Sequence, residues 1–161
     1  MLRERVSAGA SVDGELALPF ELRRRSRLLT RLVGGTPAGL MLERGAPLRD
    51  GECLRGTDGH LYRVRAADED VMDARCDEPT LLARVAYHLG NRHAPLQIGD
   101  GFVRFAADDV LATMVRGLGA ALTSTRAPFE PEAGAYVAGA HTHGSDGHHT
   151  PVIHDHHRSA Q

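Results

Sequence analysis

The 161-residue chain has no lysine and no tryptophan, and aromatic residues make up only 4% of it. All 19 basic side chains are therefore arginine, a bias that codon usage explains. With so few rings, a core has to be built mostly from Leu, Val and Ala. The net charge is −2 with histidine neutral, which calls for no nucleic-acid partner. No apolar run approaches the roughly 20 residues that span a bilayer. Met1 to Ala10 lack the apolar stretch of a signal peptide. The chain therefore reads as cytoplasmic, without membrane association. Its two cysteines, Cys53 and Cys76, stand far apart with no CxxC spacing. They form neither a zinc knuckle nor a redox pair and read as reduced core residues. Catalytic templates are missing as well: there is no HExxH, GxSxG, P-loop or GxGxxG, and no spacing makes Cys76 a nucleophile beside a His. The reading is not an enzyme.

What the chain does have is a soluble globular balance, with 42% hydrophobic and 25% charged residues. Its length suits one domain or two small ones. Histidine is the outlier. There are ten, and seven lie between His141 and His157. Composition thus points to metal before any motif is read.

The pattern along the chain divides it in three. Leu16, Leu18, Phe20 and Leu22 alternate, the period of a strand, and Pro19 and the Gly34-Gly35-Thr36-Pro37 turn favour short strands over a helix. Further strands are expected at Gly39–Leu42, Cys53–Arg55 and His60–Arg65, with turns at Leu48–Glu52 and Asp58-Gly59. Residues 1–70 read as a small all-β domain. Val71–Arg75 then reads as a strand. Asp77 is the expected cap of a helix with Pro79 in its first turn. Leu81, Leu82, Val85, Ala86 and Leu89 form its apolar stripe, and Gly90 is the expected stop. A hairpin follows at Pro95–Ile98 and Phe102–Phe105 around Gly99-Asp100-Gly101. A second helix starts near Asp108, with Val110, Leu111, Met114, Val115 and Leu118 as its buried face and Gly119 as its stop. Ala121–Arg126 is a last strand. The order βαββαβ over 71–137 is that of a ferredoxin-like domain, so the fold class is α+β. Residues 138–161 carry hardly any large apolar side chain and read as a flexible, disordered His-rich tail.

Two places carry metal chemistry. In Gly90-Asn91-Arg92-His93, a histidine sits on a short connection after a helix. One imidazole is a poor site, but at a two-fold axis two of them would face one ion. A plain surface or capping histidine fits the same residues, and spacing leaves both readings open. In the tail, His141, His143, His148, His149, His154, His156 and His157 are interleaved with Thr, Gly, Asp and Pro, unlike a purification tag. Flexible imidazoles so spaced can wrap a Ni²⁺, Zn²⁺ or Cu²⁺ ion, and Asp155 can add an oxygen. Protons compete with metal for imidazole, so affinity falls as pH drops through about 6.5. His88 reads as a helix-surface or core residue, His60 as structural, and Asp108-Asp109 as a cap with a carboxylate favoured by the helix dipole.

At these residues the chain resembles the urease accessory nickel chaperone family, UreE. The resemblance is carried by Ala86-Tyr87-His88-Leu89-Gly90-Asn91-Arg92-His93-Ala94-Pro95-Leu96-Gln97-Ile98, by Asp109-Val110-Leu111 with Met114 and Leu118-Gly119, and by Ala127-Pro128-Phe129-Glu130-Pro131-Glu132-Ala133-Gly134-Ala135-Tyr136. Weaker agreement covers Leu42–Gly45 and Leu48–Glu52, so the likeness runs from about Gly14 onward. It implies a β domain that engages partner proteins and a ferredoxin-like domain that forms a head-to-head homodimer. It also implies that His93 of each protomer binds a shared Ni²⁺, with His141 and His143 as tail ligands. The implied partners are the urease accessory GTPase and the urease apoprotein–accessory complex. Some relatives open the second helix with a His-Asp-His metal site. Here that run is Ala107-Asp108-Asp109, so the resemblance implies no such site, or a weak carboxylate one. The rival reading of the chain is a protein-interaction module of urease assembly whose tail buffers metal.

Overall fold

A computed structural model describes residues 1–6 and 11–133. The first sheet is built from β1 (Leu2–Val6), β2 (Gly14–Leu18), β3 (Arg27–Arg31), β4 (Pro37–Met41), β5 (Cys53–Gly56) and β6 (Leu61–Ala66). Its order is β2-β6-β5-β1-β4-β3. The pairs β1/β4 and β2/β6 are parallel and the rest antiparallel. Alternation explains β2: Leu16 and Leu18 are buried and Ala17 is exposed. They join Leu2, Leu40, Leu54 and Val64 in an aliphatic core. The hairpin turn at Asp58-Gly59 and the turn before β5 are as expected, with left-handed backbone at Gly59 (φ 82°) and Gly51 (φ 81°).

One strand has no counterpart in the sequence reading and one expectation fails here. β1 has no hydrophobic signature, because only Leu2 of its five residues is fully buried; its pairing with β5 and β4 holds it. Phe20 and Leu22 do not continue β2. They lie on α1 (Phe20–Arg23), a single turn entered from the extended Pro19. The Phe20 ring leaves the period-2 pattern to pack edge-on against Phe129, 5.6 Å between centroids.

The second sheet contains β7 (Asp68–Arg75), β8 (Gln97–Gly99), β9 (Phe102–Ala106) and β10 (Ala121–Pro128) in the order β10-β7-β9-β8, antiparallel throughout. The helices α2 (Pro79–Gly90) and α3 (Asp109–Gly117) each join two strands that flank a third. Both contribute to one core: Val85 and Leu89 of α2 and Val115 of α3 meet Ala74, Val103 and Phe105 of the sheet. β7 starts at Asp68, where Asp68–Asp70 pair with Arg126–Pro128, so the strand is longer at its start than the apolar run from Val71 announces. Val110 is not on the buried face of α3. It is 77% exposed, and Ala112 fills the inward position.

The seam between the two units has its own core of Phe20, Val71 and Phe129. Beside it lies Arg23, only 1% exposed. Its Nε donates to the Leu18 carbonyl (3.1 Å) and its Nη1 to the Leu48 carbonyl (3.0 Å). The same guanidinium reaches the Phe129 carbonyl and the Glu130 carboxylate. Arg49 donates to the Pro131 carbonyl and stands 3.5 Å from Glu130. Breaking a buried charge network of this kind typically costs about 3–5 kcal/mol.

Candidate metal site

His93 stands at the end of α2, and the helix decides how it is presented. Pro79 occupies the first turn, where a missing N–H costs nothing. The N-cap is Glu78, without a side-chain bond to the helix, and not Asp77. Val85 and Leu89 anchor the helix to the sheet. Beyond them the chain winds down. Asn91 N–H donates to the Tyr87 carbonyl (3.0 Å), Arg92 N–H to Leu89 (3.0 Å) and His93 N–H to Gly90 (2.9 Å). The Arg92 side chain closes back onto the His88 carbonyl at 3.0 Å. Pro95 then prevents any return to helix.

Gly90 is the last helical residue and not the left-handed stop expected of it. The left-handed backbone falls on His93, with φ 56°, the one non-glycine residue with positive φ among the described residues. Histidine visits this region more readily than most side chains, yet the conformation still costs about 1–2 kcal/mol. Strain of this kind gathers at functional positions. The imidazole it carries is exposed. Next to the turn is a depression of about 350 Å³ lined by Arg92, Ala94, Pro95, Phe105, Asp108 and Val110.

The other candidates are dispersed. His88 is half-buried, with its ring edge-on to Tyr87 at 5.3 Å. His60 lies in the β5–β6 hairpin, its Nδ1 3.2 Å from Asp13. Asp108 caps α3 by accepting the Leu111 N–H at 2.8 Å, and Asp109 opens the first turn. Cys53 and Cys76 are both buried and free. Burial pushes the Cys76 thiol up, helped by nearby Asp77, so it stays protonated at neutral pH. Among the described residues no three His, Cys, Asp or Glu side chains converge on one point. His141, His143, His148, His149, His154, His156 and His157 lie outside the described residues.

Sequence reasoning missed what steadies this turn. Glu130 N–H donates to Gln97 Oε1 (2.9 Å) and Glu132 N–H to the Leu96 carbonyl (2.6 Å). The Phe129–Glu132 segment thus braces the strand that follows His93 while Glu130 engages Arg23 and Arg49. The signal was present only as a Pro-Phe-Glu-Pro-Glu block without an evident role.

Comparison with known proteins places both units. Residues 3–67 match the family model of the UreE urease accessory protein N-terminal domain, and residues 69–158 match that of its C-terminal domain. The chain is 53% identical over 135 residues to a urease accessory protein UreE of Alkalilimnicola ehrlichii, covering 84% of this chain and 83% of that one. It is 55% identical over 134 residues to the protein of the same name from Pseudomonas putida strain GB-1, covering 83% and 81%. A third such protein, from Ectopseudomonas mendocina, is 47% identical over 140 residues, covering 86% and 84%. The matches define an accessory protein of urease maturation and not an enzyme. The chain belongs to the UreE urease accessory protein family.

Proposed function

We propose that this chain is a nickel metallochaperone that delivers Ni²⁺ to apo-urease through the urease accessory GTPase complex. In this reading residues 1–70 form the partner-binding unit, 71–137 a ferredoxin-like metal-binding and dimerisation unit, and 138–161 a metal-binding tail, in a cytoplasmic homodimer. His93 of each protomer holds one shared ion, and His141 and His143 complete the shell, with His148, His149, His154, His156 and His157 as further donors. Zn²⁺ or Cu²⁺ can substitute at imidazole.

The observation that supports the reading best is the exposed His93 on its left-handed turn, with no second and third donor beside it among the described residues. A donor held rigidly but alone fits a site completed by a second copy. The exposed Val110 beside the neighbouring depression suits an apolar contact there. Several tail imidazoles suit delivery, since ligands in excess can be exchanged one at a time, whereas structural sites are closed.

Ni²⁺ titration calorimetry with mass determination in solution tests this on the intact protein, on His93→Ala and on a truncation after Tyr136. The reading expects one tight site per dimer, lost in His93→Ala, and weaker sites lost on truncation. If His93→Ala binds like the intact protein and only truncation matters, the tail is a metal buffer and the interaction-module reading replaces this one.

A further inference from the structure

We propose that a basic groove on the first unit is the docking site for an acidic peptide segment of a partner protein. The proposal builds on reading that unit as the partner-binding one and names the chemistry of the partner. The groove is a depression of about 970 Å³ bordered by Arg3, Arg24, Arg25, Arg27 and Arg44, with Glu43 as the one carboxylate on its lining.

The arginines of this chain are not equivalent. Nine of them sit within ion-pair distance of a carboxylate, among them Arg23, Arg49, Arg104 and Arg126. Arg3, Arg25, Arg27 and Arg44 have no such partner among the described residues, and all four are exposed on this one depression. Arg24 meets only Glu21 of its own helical turn, in a pair open to water and so of little worth. Arg31, Arg75, Arg84, Arg92 and Arg116 also lack an ion-pair partner among the described residues, but none of them lines this depression, so four unneutralised guanidinium groups share it. Like charges so crowded repel one another, and a carboxylate-bearing ligand relieves that repulsion.

The lining selects the ligand class. Guanidinium forks match carboxylates with two parallel bonds. Met41, 43% exposed, adds apolar surface between them, which suits side chains interspersed with the acidic ones. No aromatic ring lines the groove to stack a base. Its one glycine, Gly45, is not left-handed, so no backbone nest for phosphate forms.

The test is fluorescence anisotropy with a labelled oligopeptide of alternating Glu and Leu, on the full chain. Binding should weaken by at least about tenfold in Arg25→Glu/Arg27→Glu and on raising salt from about 50 to about 200 mM. The reversal Arg84→Glu/Arg116→Glu, at exposed positions of the second unit, should leave it unchanged. If Arg25→Glu/Arg27→Glu melts early, Arg25→Gln/Arg27→Gln is measured against the same criterion. Absence of binding to the intact chain, equal loss in both reversals, or displacement of the peptide by an oligothymidylate at lower concentration each overturns the proposal. Its fate separates from that of the nickel reading: His93→Ala should bind the peptide normally, and Arg25→Glu/Arg27→Glu should titrate Ni²⁺ normally.

Discussion

The two helices of the second unit pack into the same core, yet their ends are built on different terms. α3 follows local rules at both ends. Asp108 caps its start through the Leu111 N–H, and Gly119, with φ 95°, takes the left-handed position after its last turn. α2 follows them at neither cap, Pro79 in its first turn aside. Its N-cap Glu78 makes no side-chain bond to the helix, Gly90 is spent inside the helix, and the left-handed position falls on His93. The difference teaches where the chain optimises stability and where it gives some up. The helix that only supports the sheet is capped as a design would cap it; the helix that presents the imidazole is not.

Urea unfolding of metal-free variants can break this contrast. The largest effect is expected at Gly119→Ala. The added methyl group meets no atom within 4 Å, so the cost is purely that of the left-handed backbone, about 1–2 kcal/mol. Asp108→Ala should cost about 1 kcal/mol, while Glu78→Ala stays within about 0.5 kcal/mol; equal losses would erase the difference between the two N-termini. Gly90→Ala should stabilise the chain by about 0.5–1 kcal/mol, because its Cβ also has open space and the position is helical. A loss there would mean that Gly90 is the helix stop after all. The smallest shift is expected for His93→Gly, a gain of about 0.5 kcal/mol once strain relief is set against the freer unfolded chain. That variant should gain stability while losing the tight Ni²⁺ site, the opposite signs expected of a strained functional residue.

The same contrast shows what could be read from the sequence. α3 was legible because a capping aspartate and a stop glycine act on their own neighbours. Val110 was misplaced because its exposure depends on the helix's rotation against the sheet, which Ala112 and Val115 settle. The order of strands and helices in the second unit followed from periodicity. The first unit was less legible: β1 is held by pairing partners more than thirty residues away, and Phe20 turns out of line toward a ring 109 positions later. At the candidate site, loop position and resemblance single out His93, but neither foretells its left-handed backbone. A glycine three residues earlier looked like the local solution. Arg23 could not be told from its neighbours Arg24 and Arg25 in a run of arginines. The carbonyls of Leu18, Leu48 and Phe129 and the Glu130 carboxylate distinguish it.

That buried arginine sets a rule for recombining the family's parts. Arg23 and Arg49 belong to the first unit, and the Phe129–Pro131 backbone and the Glu130 carboxylate they hold belong to the second. A chimaera joined at Ala67 therefore inherits half of a lock from each parent. Exchanging the first unit between relatives should succeed where both parents carry this arginine pair, and should loosen the strand behind His93 where they do not, because Glu130 also grips Gln97. Parts that look exchangeable by sequence boundary are matched by a key hidden between them.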